Sequence, residues 1–250
     1  MCCRYVLQQD HAKSLLEKLG VLLAAGALPP TRYNQPPGGR IPAIRNHVGP
    51  TAGRASGASQ KPDQRSGLHR ELAPLHWGLT PSWARDSASP VVNARAESLA
   101  DKPTFRDAYR TRRCLIPTSS FYEWKVSGRA REPWLFRLRD GQPFAFAGLW
   151  ETWRAPDGKL LESCALVTTA PNAVMEPVHH RMPAILADAA AWDAWLDPRL
   201  TSPDALAPLL RPFPADAMTA VAVDARVNNV RHDDEACLAP AAAQQLSMEF

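Results

Sequence analysis

Met1 is followed directly by Cys2. A small residue in second position favours removal of the initiator methionine. Removal leaves a cysteine whose α-amine and thiol share one carbon skeleton. Such a 1,2-aminothiol condenses with aldehydes: the amine forms an imine, and the thiol closes on the imine carbon to give a five-membered thiazolidine. The α-amine has a pKa of about 7.7–8.0, so part of it is neutral and nucleophilic at physiological pH. The thiol, ordinarily about 8.5, is lowered by a nearby cation or helix N-terminus. Cys3 offers a second thiol, but only Cys2 can carry the free amine.

Three polar residues stand in apolar surroundings further along. Glu123 sits in Phe121-Tyr122-Glu123-Trp124. A carboxylate among three aromatics is partly desolvated, which raises its pKa towards the range of a general acid or base. Read alone, it is better taken as a partner for Lys125 or an arginine. His179 lies in Val178-His179-His180-Arg181-Met182-Pro183. Histidine is the usual proton shuttle at neutral pH, and two adjacent histidines on an extended chain do not both face one site. A zinc site from Cys2, Cys3, His179 and His180 lacks structural zinc spacing, so no metal or cofactor is expected. Asn93, in Asn93-Ala94-Arg95-Ala96-Glu97, can orient a carbonyl or hydroxyl. On an extended chain Asn93, Arg95 and Glu97 share a face.

These residues need a scaffold, and the local patterns supply one. Residues 8–28 carry leucines at helical spacing and read as a helix, and 104–113 as a second. From Cys114 onward short apolar or alternating runs read as strands: 115–116, 121–126, 134–138, 144–150 and 163–168. Asp140-Gly141 and Asp157-Gly158 are hairpin turns between them, predicting an antiparallel meander. Residues 183–186 add a strand and 188–196 a helix. The expected class is α+β, mostly antiparallel sheets with flanking helices, in a single domain over residues 2–240. Within it, 49–71 reads as a mobile surface loop and 241–250 as a tail.

The totals exclude several classes. With 250 residues the chain is long enough for one large core. Its five cysteines have no regular spacing, against a disulfide framework and for a reducing, cytoplasmic setting. No segment has the length and apolarity to span a membrane. Residues 95–139 hold eleven Lys or Arg against five acids, a basic stretch that can attract a polyanion.

Met1-Cys2-Cys3-Arg4-Tyr5, Arg32-Tyr33-Asn34-Gln35-Pro36-Pro37, Trp77-Gly78-Leu79, Asn93-Ala94-Arg95-Ala96-Glu97, Phe121-Tyr122-Glu123-Trp124 and His179-His180-Arg181-Met182-Pro183 occur in the order found in the SOS response-associated peptidase (SRAP) family. The chain resembles that family from residue 2 to about residue 240. The resemblance implies a barrel-like core and covalent capture of abasic sites in single-stranded DNA, which are aldehydes when ring-opened. It implies that Cys2 supplies amine and thiol, and that Asn93 positions the terminus and the open sugar. It gives Glu123 acid/base work and His179 proton shuttling and reversal of the link. It also implies that Arg4, Arg95 and Arg181 hold phosphates, and that Asn34, Trp77 and Trp124 lie along the strand, with Lyase and self-processing activity beside capture. The implied protein is a monomer, nucleoid-associated when bound. Two other classes stay open on the residues alone: an N-terminal-nucleophile peptidase or amidotransferase, and a non-catalytic single-strand-binding module. In the family, glycine usually stands where this chain has Cys3.

Overall fold

The computed structural model describes residues 4–21, 23, 27–47 and 69–241. Cys2, Cys3, residues 49–68 of the expected loop and residues 242–250 of the expected tail lie outside the described residues.

Two sheets make the architecture. β1 (Arg4–Leu7) is followed by α1 (Gln9–Lys18), β2 (Arg32–Gln35), β3 (Arg40–His47), β4 (His69–Trp77) and β5 (Asn93–Arg95). Then come α2 (Arg106–Thr111), β6 (Arg113–Thr118), β7 (Ser120–Ser127), β8 (Ala130–Leu138), β9 (Phe144–Arg154) and β10 (Leu160–Thr169). The chain ends through β11 (Met182–Pro183), β12 (Ile185–Leu186), α3 (Ala189–Leu196), α4 (Pro203–Leu206) and β13 (Met218–Ala222). The smaller sheet has the order β13-β8-β7-β1-β2. In the larger one, β10, β4, β3, β6 and β9 pair in turn, and β9 pairs back onto β10, so the ring closes. Closure leaves no open edge among these strands.

The class is as expected, with local differences. Asp157-Gly158 does turn a hairpin, joining β9 to β10 with Gly158 at φ 85°. Asp140-Gly141 does not: it carries the chain from β8 in one sheet to β9 in the other, so the meander is broken there. The second hairpin joins β7 to β8 around Gly128 at φ 59°. Pairing is also not wholly antiparallel, since β10 runs parallel to both β4 and β5. The first helix stops at Lys18 rather than near residue 28, because Gly20 takes the left-handed conformation at φ 66° that ends helices. His69–Glu71, expected in the loop, begin β4.

Packing follows the alternation along the strands. Tyr5, Trp77, Phe121, Phe136, Phe144 and Phe146 meet between the two sheets, with Phe121 stacked on Phe136 at 5.2 Å. α1 and α3 bury Leu15, Leu16, Trp192 and Trp195 against the other side of the closed sheet. Buried Arg113 ties α2 and α3 to β6 by donating to the carbonyls of Tyr109, Arg110, Trp195 and Asp197. On the outer face of the small sheet, Val6, Tyr122 and Leu135 are covered by Val223, Val227 and Cys237 of the C-terminal segment.

Candidate active site

The site begins with β7. Phe121 turns into the core between the sheets, so Glu123, two residues on, turns to the same side. It is only 2 % exposed. Burial pushes its pKa up from the ordinary carboxylate value. Its carboxylate Oε1 lies 3.4 Å from Nδ1 of His179. Two groups 56 positions apart in sequence thus form one acid/base pair.

A turn over residues 173–178 delivers His179. Asn172 builds it: its Oδ1 accepts from the amides of Val174 and Met175, and its Nδ2 donates to the Phe213 carbonyl at 2.7 Å. The His179 amide then donates to the Met175 carbonyl. Nothing in the local sequence separates Asn172 from any loop asparagine.

The His179 ring has two states available. The Arg181 amide donates to Nδ1 at 3.1 Å, which makes Nδ1 an acceptor and puts the proton of the neutral ring on Nε2. A proton taken up at Nδ1 exchanges that bond for one to the Arg181 carbonyl, also at 3.1 Å, or to the Glu123 carboxylate. Burial lowers the His179 pKa below the ordinary imidazole value. Glu123 is thereby biased towards its protonated form and His179 towards its neutral one, as proton donor and acceptor require. His180 is exposed, its ring 4.4 Å from that of His179. Its pKa is lowered chiefly by His179, with smaller contributions from Arg181 and Arg95. One histidine of the pair faces the carboxylate and the other faces solvent.

β5 brings the third element. Asn93, half-buried, stands beside Leu166 and Arg95 beside Thr168 on β10. The expected extended face ends at Arg95, because residues 96–98 form a 3-10 turn. That turn aims Glu97 at Arg181, whose guanidinium donates to both carboxylate oxygens at 2.7 and 2.9 Å. The same guanidinium donates to the Thr168 carbonyl at 2.6 Å. Arg181 therefore clamps β5, β10 and the histidine turn together, and its side chain is only 11 % exposed. The arrangement lowers the Glu97 pKa from the ordinary carboxylate value, chiefly through the Arg181 hydrogen bond.

The other expected contact residues divide by face. Arg4 stands opposite Tyr122 on β7, so Arg4, Tyr122 and Trp124 share the side away from Glu123. The Arg4 guanidinium lies 5.4 Å from the Trp124 ring and donates to Asn34 Oδ1 and the Val227 carbonyl, both at 2.8 Å. Trp124 is half-exposed and donates from Nε1 to Asn228 Oδ1 at 2.6 Å. Arg95 is exposed. Asn34 and Trp77, which the family resemblance placed along the DNA strand, are instead interior. Asn34 is fully enclosed, its Nδ2 directed at the carbonyls of Val227, Asn229 and His232. Trp77 is equally enclosed, donates to the Val92 carbonyl and packs 5.6 Å from the Tyr5 ring. A polar or aromatic residue type does not reveal which way its strand turns it. Conversely, Trp83 is 65 % exposed, an unusual placement for so large an apolar ring.

The described cysteines offer no competing nucleophile. Cys114, Cys164 and Cys237 are free and buried, and burial pushes the Cys114 thiol up to about 12. Among the described residues no group of three or more His, Cys, Asp or Glu is placed to hold a metal ion. No helix among them is long and apolar enough to cross a membrane.

Comparison with known proteins places this arrangement in a lineage. Residues 1–230 match the family described as SOS response associated peptidase (SRAP). The abasic site processing protein YoqW of Bacillus subtilis is 44 % identical over 170 residues, covering 67 % of this chain and 75 % of YoqW. The mouse abasic site processing protein HMCES is 28 % identical over 204 residues, covering 69 % of this chain and 57 % of HMCES. A crystal structure of a Bacteroides thetaiotaomicron protein superposes with a TM-score of 0.79 at 24 % identity, over 96 % of this chain and all of that one, and shows the same fold. The chain belongs to the SOS response associated peptidase family.

Proposed function

We propose that this protein processes abasic sites in DNA by capturing them covalently on Cys2 once Met1 has been removed. The observation that carries the reading is the Glu123–His179 pair, a buried carboxyl group 3.4 Å from an imidazole, with Glu123 on the strand that pairs with β1. Two residues of extended chain span about 7 Å, so Cys2 is tethered close to Arg4 at the start of β1. The named relatives, abasic site processing proteins in both bacteria and mammals, support the same substrate.

The chemistry balances with the chain's own groups. In the ring-opened sugar, C1′ is an aldehyde. Protonated Glu123 donates to the ring oxygen as the C1′–O4′ bond breaks, and the C1′ hydroxyl loses its proton. The Cys2 amine adds to C1′, and the resulting carbinolamine loses one water to give an imine. The thiol then adds to the imine carbon, its proton passing to nitrogen, and the thiazolidine closes. His179 takes up and returns protons in these transfers through the two bonding states of Nδ1. Asn93 holds the open sugar. The imine stage also permits β-elimination of the 3′ phosphate, a lyase outcome, and the same nucleophile accounts for self-processing of Met1.

Strand binding draws on the basic surface of the same region. Arg95 contacts phosphate, while Arg181 works mainly by holding β5 against the histidine turn. Trp124 and exposed Trp83 offer aromatic faces for unstacked bases, each such stack being worth about 1–3 kcal/mol. This favours single-stranded substrate and a monomer that binds its nucleic acid from solution.

The test is denaturing electrophoresis of the purified protein with a single-stranded oligonucleotide carrying one abasic site. A heat-stable shifted band is expected, absent in Cys2→Ala. Cys2→Ser should yield a species trapped only by borohydride, because its hydroxyl does not close the thiazolidine. No shifted band from protein shown by mass to lack Met1 overturns the reading.

A further inference from the structure

A cavity lies on the outer face of the small sheet, apart from Glu123 and His179. Strand register builds its floor. Val6 on β1 faces Ser120 on β7, and Leu135 on β8 faces both Tyr122 on β7 and Val221 on β13. Side chains alternate, so Val6, Ser120, Leu135, Arg137 and Val221 rise from one face across four neighbouring strands. The beginning of α1 supplies Gln8 and His11 as one wall, and Leu238 and Pro240 of the C-terminal segment supply another. The enclosed space is about 490 Å³, within the range of small-molecule sites.

Its chemistry is one-sided. No carboxylate lines it. Arg137 has no ion pair or side-chain hydrogen bond among the described residues. Ser119 Oγ accepts from the Gln8 amide at 2.8 Å, leaving its hydroxyl proton to donate. Ser120 adds a hydroxyl on the floor. His11 Nδ1 is enclosed and makes no hydrogen bond. Donors and a full positive charge therefore converge on a cavity whose remaining walls, Gln8 apart, are apolar. Asp10 lines a neighbouring groove that shares Gln8 and His11 with this cavity.

We propose that this cavity binds a phosphomonoester carried on a small, flat, partly apolar body, the chemistry of a nucleoside 5′-monophosphate. Arg137 and the two serine hydroxyls take the phosphate oxygens, while Leu135, Val221 and Leu238 cover the remainder. Such a group reaches the cavity as a free nucleotide or as the 5′ end of a DNA strand. The site is separate from Glu123 and His179, because β7 turns Ser120 and Glu123 to opposite faces.

The test is isothermal titration of the intact protein with deoxyadenosine 5′-monophosphate, with deoxyadenosine as the neutral control, and with a short oligonucleotide bearing or lacking a 5′ phosphate. The mononucleotide is expected to bind and the nucleoside not. Arg137→Glu should weaken that binding about tenfold or more, the worth of one charged hydrogen bond. Arg137 is exposed, so this variant keeps its fold and captures abasic sites at the wild-type rate. Binding of only the 5′-phosphorylated oligonucleotide, again lost in Arg137→Glu, identifies the strand end as the source. Phosphate-dependent binding by neither probe, or binding indifferent to Arg137→Glu, overturns the proposal and leaves the Cys2 chemistry untouched.

Discussion

Replacing Asn34 by alanine separates its structural role from any contact with DNA. The side chain is fully enclosed and sits at a junction of three segments. Its Nδ2 is shared among the carbonyls of Val227, Asn229 and His232 at 2.9–3.1 Å, and its Oδ1 accepts from Arg4 at 2.8 Å. Beside it, Asp233 accepts the amides of Tyr33 and Asn34 and pairs with Arg32 at 2.7 Å. Two Nδ2 protons among three carbonyls amount to two full hydrogen bonds. These contribute about 0.5–1.5 kcal/mol each, and the bond from charged Arg4 about 1.5–3 kcal/mol. The truncation therefore costs about 2.5–6 kcal/mol, since enclosed carbonyls are left without donors. At about 2–4 °C per kcal/mol for a chain of this size, thermal unfolding should fall by about 5–24 °C. Asn34→Asp keeps the acceptor for Arg4 but turns a second carboxylate oxygen towards the three carbonyls, so it should be no more stable than the alanine variant. The assay pairs thermal unfolding by circular dichroism with the abasic-site gel run well below both transitions. The folded variant should still capture DNA. An unchanged transition, or a folded variant with wild-type stability that no longer captures, would refute the reasoning.

Two further perturbations test separate parts of the structure. Glu123 has a raised pKa when folded, so the folded chain binds its proton more tightly than the unfolded one. Stability is therefore lost as pH rises from the ordinary carboxylate value through the raised one, at about 1.4 kcal/mol per pKa unit. Glu123→Gln should thus unfold at a higher temperature than wild type at pH 8, with the gap closing as the pH falls below the ordinary value, while capture slows; a gap independent of pH sinks the assignment of a desolvated acid. Gly78 adopts φ 142°, and a Cβ there would stand 2.9 Å from Pro90 Cβ, so Gly78→Ala should cost about 1–3 kcal/mol. Urea unfolding should show a lower midpoint with an unchanged slope, and a wild-type midpoint would mean the Pro90 segment yields freely.

What could be read from the sequence depended on whether the deciding contact was local. The apolar run of β9 and the Asp157-Gly158 turn are self-contained signals, and both were legible. β3 and β4 were not, because each carries a proline and several charges, which argue against a strand. The structure answers both objections at long range. Pro42 and Pro74 stand opposite one another. Arg45 is buried because Glu71 and Glu162 flank it at 2.6 and 2.7 Å and Trp150 lies beneath it at 4.1 Å. Glu123 and His179 were legible as residue types in apolar settings, and family likeness paired them. The Asn172 turn, the Glu97–Arg181 clamp and the enclosure of Asn34 and Trp77 are products of tertiary contact.

The register of β1 on β7 decides how these parts communicate. Arg4 opposite Tyr122 sends Arg4 outward to Asn34, Trp124 and Val227, and sends Tyr5 inward beside Trp77. A slip of one residue would exchange the two sets completely, burying a guanidinium in an aromatic core. The cost of that exchange is what holds the strand in place. The same pairing fixes where Arg4 stands relative to the strand that carries the buried acid. The Asn34 junction is then more than a stabilising knot. By holding Arg4 from the outer face it resists any sliding of β1, and it does so without touching the reacting groups. The C-terminal segment, contributing Val227, Asn229 and Asp233, thereby takes part in setting the geometry at the opposite end of the chain.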